Sequence, residues 1–190
     1  CSPLWTANTG SAAFSSPAVS NGIVYIGGYA IYAFDASGTT GCGGSPKTCS
    51  PLWSTTTSGP VTSSPAVADG VLYVGSLDGK LYAVDAFGVA GCSGTPKVCL
   101  PLWTASFGGF PSGPDSSPAV ANGVVYIGGG SNRSGLFAFD AHGVVGCSGS
   151  PKQCSPVWTG ATSGTVYSSP AIANGRVFVG SSDKKLYSFG

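Results

Sequence analysis

Short apolar runs, each bounded by turn-forming residues, follow one another along the whole chain. In the second such unit, apolar or small residues fill 64–68, 71–75, 80–85 and 102–104. Asp69-Gly70 separates the first two runs, and Asn-Gly stands at this place in the other units, which is a signal for a tight β-hairpin. No segment shows the 3.6-residue apolar period of a helix, so the pattern predicts an all-β protein made of short strands.

The unit recurs four times with a period of about 50 residues. Ser-Ser-Pro-Ala begins at Ser15, Ser63, Ser116 and Ser168, and the four tryptophans, Trp5, Trp53, Trp103 and Trp158, keep the same register. Four antiparallel strands in a unit of this length are typical of a β-propeller blade. We therefore expect one β-propeller over 1–190, with blades at 15–53, 63–103 and 116–158, and a fourth at 168–190 completed by 1–7. The small residues of the first strand suit the crowded centre, and each Trp is expected to pack against the next blade.

Residues 63–76, Ser-Ser-Pro-Ala-Val-Ala-Asp-Gly-Val-Leu-Tyr-Val-Gly-Ser, carry a resemblance to a known repeat. Together with Asp-Gly-Lys-Leu-Tyr-Ala-Val-Asp-Ala at 78–86 and Leu-Trp at 102–103, they resemble the PQQ-like, quinoprotein-type β-propeller repeat. This repeat occurs in quinoprotein alcohol dehydrogenases, in the lipoprotein propeller of the outer-membrane assembly machinery and in secreted bacterial repeat proteins. The chain departs from the family where a Cys-bounded loop replaces the usual Thr-Gly-Lys turn.

The resemblance implies rings of seven or eight blades. Four blades can close alone, pair with a second chain, or form half of a longer polypeptide. The orphan Cys1 and the missing Cys-bounded loop after Gly190 favour the longer polypeptide.

Six of the seven cysteines form three C-x6-C pairs between the third and fourth strands: Cys42/Cys49, Cys92/Cys99 and Cys147/Cys154. Opposed positions of an antiparallel pair lie within disulfide range, so we expect three local disulfides and an oxidising compartment, secreted or at the cell surface. Zinc binding is disfavoured because C-x6-C is not a zinc spacing and His142 is the only histidine. Cys1 matches Cys49 in register, which predicts a partner upstream; a lipidated N-terminal Cys is the alternative.

Charge and motifs narrow the function. Only 8% of residues are charged and the net charge is +1, which makes nucleic acid and anionic membranes poor candidate partners. No apolar run is long enough to span a bilayer. The recurring Asp35, Asp85 and Asp140 suit a structural role as turn caps, and His142 occupies a variable turn position.

These observations predict an extracytoplasmic, non-catalytic scaffold without a cofactor, which binds a protein partner or a second copy of itself. The chain lacks the adjacent Cys-Cys pair of the PQQ dehydrogenases, so the resemblance does not imply PQQ binding or dehydrogenase activity here. Two alternatives stay open: a dehydrogenase fragment whose active-site blades lie outside this chain, and a carbohydrate-binding propeller.

Differences among the four units point to one corner of the propeller. Both length changes of the third unit fall in loops that share one face, opposite the face that carries the disulfides. Loops on a rigid scaffold commonly carry binding residues. The candidate binding face comprises Phe107, Phe110, Asp115, Asn132 and Arg133. A neutral surface insertion is the alternative, and Asn132-Arg133-Ser134 also fits an N-glycosylation sequon.

Overall fold

The computed structural model describes residues 1–107, 116–130 and 133–190, and all regular structure in these ranges is β-strand. The blades predicted from the repeat appear as antiparallel sheets, and the all-β propeller fold is confirmed. No helix that could cross a bilayer occurs among the described residues.

The strands follow the repeat. The first strand is β1 (Thr6–Ala7). The first repeat contains β2 (Ala18–Ser20), β3 (Ile23–Gly27), β4 (Ile31–Asp35), β5 (Cys42–Gly43), β6 (Thr48–Cys49) and β7 (Trp53–Thr55). The second contains β8 (Ala66–Ala68), β9 (Val71–Gly75), β10 (Lys80–Asp85), β11 (Cys92–Ser93), β12 (Val98–Cys99) and β13 (Trp103–Ser106). The third contains β14 (Ala119–Ala121), β15 (Val124–Gly129), β16 (Gly135–Asp140), β17 (Cys147–Ser148), β18 (Gln153–Cys154) and β19 (Trp158–Gly160). The fourth contains β20 (Ala171–Ala173), β21 (Arg176–Ser181) and β22 (Lys185–Phe189).

Each of the first three repeats forms a four-stranded antiparallel blade, in the orders β2-β3-β4-β7, β8-β9-β10-β13 and β14-β15-β16-β19. The hairpin between the first two strands turns through Asn21, Asp69, Asn122 and Asn174, each with a φ of about 50° and followed by glycine. Positive φ at both central residues is the type I′ geometry that Asn-Gly and Asp-Gly favour, so the local sequence sets these turns.

The disulfide hairpins reach the neighbouring blade, which the sequence did not reveal. The second strand of each hairpin pairs in parallel with the fourth strand of the preceding repeat: β6 with β1, β12 with β7 and β18 with β13. Each predicted disulfide therefore stabilises a hairpin that also joins two consecutive repeats.

The apolar core lies between blades. Between the first and second blades, Tyr25, Ile31 and Trp53 pack against Leu72 and Val74, and none of the five side chains is more than 2% exposed. A single carbonyl, that of Ala86, accepts hydrogen bonds from the Tyr25 hydroxyl (3.0 Å) and from Trp53 Nε1 (3.2 Å). The Ala141 carbonyl accepts the corresponding bonds from Tyr73 and Trp103 at the next interface. Trp therefore packs against the following blade, as the repeat predicts.

Trp158 departs from this pattern because it is 37% exposed, whereas Trp53 and Trp103 are 2% exposed. Its ring meets Phe189 edge to face, with the ring centroids 5.3 Å apart. With Tyr126, Val177 and Phe189 it lines a cavity of about 280 Å³.

The Ser-Ser-Pro motif links blades around the centre. The first serine holds its own blade: Ser63 Oγ accepts the Gly75 amide at 2.7 Å. The second serine accepts an amide from the preceding blade: Ser64 Oγ from Ser16, Ser117 Oγ from Ser64 and Ser169 Oγ from Ser117, at 2.8–3.1 Å. The repeat pattern predicts that small residues lie at the centre, but it does not predict these hydrogen bonds between blades.

The fourth repeat forms a sheet of three strands, β20-β21-β22, and β1 lies beside β6. Completion of the 168–190 blade by residues 1–7 stays a prediction.

Candidate functional site

The third-repeat corner holds the described members of the candidate binding face. Phe107 is not at the surface: its side chain is 0% exposed and belongs to the core between the second and third blades. Phe107 follows directly after β13, and its apolar ring packs in that interface. This corrects the expectation that Phe107 faces a partner. Phe110, Asp115 and Asn132 lie outside the described residues.

Arg133, in the loop between β15 and β16, contacts the end of β13. Its Nη1 donates to the Ser106 carbonyl at 3.1 Å, and its guanidinium lies 4.8 Å from the centroid of the Phe137 ring. The neighbouring backbone is close, because a Cβ at Gly129 would lie 2.0 Å from the Arg133 carbonyl oxygen. These contacts hold an exposed cation over the end of β13.

A cleft of about 410 Å³ lies beside Arg133. Its walls are the end of β13, the start of β10 and the disulfide hairpin of the third repeat. The hairpin therefore lies beside Arg133, and the expectation that the disulfides and the enlarged loops lie on opposite faces is wrong here, because β18 pairs with β13. The described lining residues are Lys80, Thr104, Ala105, Ser106, Arg133, Gly146, Ser148, Gln153, Cys154, Ser155 and Pro156. They include two cations, several hydroxyls and no carboxylate, so the cleft favours an anionic or hydrogen-bond-accepting group.

Only Arg133 among these lining residues was predicted from the sequence. Lys80 begins β10, and Ser148 and Gln153 lie in the disulfide hairpin of the third repeat. The parallel pairing of β18 with β13, Thr104 opposite Gln153, brings them together. The sequence of a single repeat does not indicate this proximity, because the hairpin and the strand belong to successive repeats.

The recurring aspartates cap backbone amides, as the sequence predicts. Asp140 accepts amides from His142, Val144 and Val145 at 2.7–3.1 Å, and Asp85 accepts the equivalent three amides. The Thr40 amide, with the hydroxyls of Thr39 and Ser37, holds the pKa of Asp35 well below its usual range. Burial alone would raise the pKa of Asp140, but its three amide donors outweigh it and lower the pKa. The hydrogen bonds give these carboxylates a structural role.

The three predicted disulfides are present, with Cα atoms 3.9–4.0 Å apart, and Cys1 is a free, exposed thiol. Over the described ranges, no cluster of three or more His, Cys, Asp or Glu side chains suited to a metal ion occurs.

Fold and cleft together define a disulfide-stabilised propeller with a polar, cationic cleft. The sequence model described as "Outer membrane protein assembly factor BamB" matches residues 2–133, and the chain belongs to this family of PQQ-like propellers. No curated protein sequence shows a significant match.

Solved structures show the same fold. BamB from Moraxella catarrhalis is 15% identical, with a TM-score of 0.66; the match covers 94% of this chain and 50% of that one. The computationally designed Ika4 protein is 14% identical, with a TM-score of 0.65, and the match covers 100% of this chain and 98% of that one. The designed Ika8 protein is 13% identical, with a TM-score of 0.58 and coverage of 91% and 44%. The chain thus spans about half the length of the BamB structure.

Proposed function

We propose that the protein is an extracytoplasmic, non-catalytic scaffold that binds a protein partner at the third-repeat cleft. The observation that carries the proposal is the pair of cations, Lys80 and Arg133, on a polar cleft whose described lining has no acid. The partner segment is one that carries Asp, Glu or a free carboxyl terminus.

The physical argument rests on how Arg133 is held. Its bond to the Ser106 carbonyl and its contact with Phe137 restrict the side chain before any ligand arrives, so less entropy is lost on binding. Guanidinium groups pair with carboxylates through two parallel hydrogen bonds, which gives direction as well as attraction.

Two further facts support the proposed location outside the cytoplasm and the proposed protein-binding role. Disulfides persist in oxidising compartments and are rare in the cytoplasm, so the three disulfides favour a location outside it. The family's description names a role in outer-membrane protein assembly, which is consistent with a propeller that acts by binding proteins.

Selection of a random peptide library on the purified chain tests the proposal. We expect enriched peptides to be rich in Asp and Glu, to bind more weakly as salt rises, and to lose binding on Arg133→Ala or Lys80→Ala. Lys184→Ala, which removes a cation from the fourth repeat, is the control and should leave binding unchanged. Peptides without acidic residues, or peptides equally tight on the Arg133→Ala variant, would contradict it.

A further inference from the structure

The floor of the third-repeat cleft is a row of polar side chains that crosses four strands. Gln153 of β18 lies opposite both Ser148 of β17 and Thr104 of β13. Thr104 in turn lies opposite Tyr82 of β10. Because opposed positions place their side chains on the same face of a sheet, these four residues share one face. The disulfide hairpin therefore extends a face of the second blade with polar groups.

Burial distinguishes the two faces of this sheet. The neighbouring row contains Ala105 and Leu81, which are buried in the core between the second and third blades. On the other face, Gln153 and Ser148 are exposed and Thr104 is half-buried. Over the described ranges, the polar groups of these three side chains have no hydrogen-bond partner, so they are available to a ligand.

The equivalent row between the first and second blades has the same pairings but one change of chemistry. Val98 lies opposite both Ser93 and Ser54, and Ser54 lies opposite Tyr32. Val98 therefore occupies the position of Gln153, and it is 40% exposed. Because the hairpin forms with an apolar residue at this position, the strand pairings do not require the Gln153 amide.

The cation at the start of β10 follows the same distribution. Lys80 lies opposite Ser106 in the third-repeat cleft. In the first repeat, the equivalent position before the third strand is held by Ala30. The polar Gln153 and the cation thus occur together in one cleft, and the apolar Val98 and Ala30 occur together in the other. This joint difference indicates that the amide and the cation serve one ligand.

The cations and Gln153 lie two residues apart along β13. Arg133 Nη1 donates to the Ser106 carbonyl and Lys80 lies opposite Ser106, whereas Gln153 lies opposite Thr104. Two residues of a strand span about 7 Å. Side chains two residues apart in an extended peptide have the same separation and point to the same side. An extended segment can therefore place one side chain at the cations and the next one on that side at Gln153.

We propose that Gln153 determines the specificity of this cleft, because it selects a partner segment in which Ser, Thr, Asn or Gln lies two residues from the acidic residue. The inference rests on the proposed function, in which Lys80 and Arg133 bind the acid. The Gln153 amide can both donate and accept, and the hydroxyls of Thr104 and Ser148 lie on either side of it. An apolar side chain at this place would leave these groups without the hydrogen bonds that they make to water, which weakens binding.

Peptide selection on the unaltered chain and on Gln153→Val tests the inference. From the unaltered chain we expect acidic peptides with Ser, Thr, Asn or Gln two residues from the acid. From Gln153→Val we expect peptides that are still acidic but have lost this preference. The urea midpoint of Gln153→Val should stay close to that of the unaltered chain, since Val98 occupies the same position in the second repeat.

Two synthetic versions of an enriched peptide, with Asn or Val two residues from the acid, give a second readout. The unaltered chain should bind the Asn version about five-fold more tightly, as expected for one net hydrogen bond, and Gln153→Val should bind the two versions equally. Because both peptides carry the same charge, salt should weaken each affinity without changing their ratio. Val98→Gln, which places the amide one repeat earlier, is the matched control and should leave the ratio unchanged.

The results distinguish a failure of this inference from a failure of the proposed function. Enriched peptides without acidic residues would overturn both. Acidic peptides with no preference two residues from the acid would overturn the inference alone, and so would an affinity ratio that Gln153→Val leaves at its original value. In either of these cases the acid-binding cleft would stand.

Discussion

At the scale of single residues, the aspartate after the third strand shows how a side chain fixes a turn. Asp140 satisfies three amides that the turn leaves without backbone partners. Since ionised carboxylates accept stronger hydrogen bonds than neutral groups, the folded state favours the charged form and the pKa falls.

This lowered pKa predicts an acid-sensitive fold. A carboxyl whose pKa is lower in the folded chain than in the unfolded chain stabilises the fold at pH values above its unfolded pKa of about 4. This stabilisation is lost as the pH falls through the folded pKa. Asp140→Asn should reduce the loss of stability between neutral and acidic pH, measured as the change in urea midpoint. Asp69→Asn introduces the residue that the other three repeats carry in their hairpin and is the control. An unchanged pH dependence in Asp140→Asn would contradict the assignment.

Gly88 shows a close approach that only glycine allows. Its φ is +67°, and a Cβ there would lie 2.1 Å from Trp53 Cδ1. Gly88→Ala should therefore lower the free energy of unfolding by about 3 kcal/mol, from the strained φ and from displacement of the indole.

Gly43→Ala is the matched control for Gly88→Ala. Gly43 lies in a disulfide hairpin with nothing within 4 Å of its added Cβ, and it has no positive φ. Chemical denaturation of both variants measures the difference; equal stabilities would mean that Trp53 does not need this glycine.

At the scale of elements, each disulfide hairpin pairs with a strand of the preceding repeat and so joins two consecutive repeats. In the second repeat, β12 lies beside β7 of the first, and Cys99 is 1% exposed within the interface core. The bond between Cys92 and Cys99 thus holds the shape of a strand pair that two repeats share.

Removing this bond should destabilise the fold. Replacing both Cys92 and Cys99 by Ala should lower the free energy of unfolding by about 2–3 kcal/mol on the chain-entropy account. Hydrogen exchange should also rise in β7, which belongs to the preceding repeat. Cys1→Ala, at the free thiol, is the control. Protection of β7 equal to that of the unaltered chain would show that the hairpin contributes nothing across repeats.

At the scale of the whole molecule, the fold determines how many cysteines are free and how many are bonded. Three disulfides and one exposed thiol predict that alkylation of the folded, unreduced chain modifies one cysteine per chain. Reduction under denaturing conditions frees the other six, so that all seven become alkylated. Intact mass measurement counts the labels. More than one label before reduction would contradict the disulfide assignment.

The sequence by itself determined the repeat, the strands, the hairpin turns and the disulfide pairs. These features are local: Asn-Gly needs only its own φ angles, and two cysteines seven residues apart meet within one hairpin. The family resemblance rested on the same local pattern, and the matching sequence model confirmed it.

The tertiary structure decided what depends on how one repeat lies against the next. The cleft needs β18 beside β13, the serine chain needs amides from adjacent blades, and Phe107 is buried because the third blade covers it. A repeat read alone shows which side chains are apolar, but not which neighbour covers them.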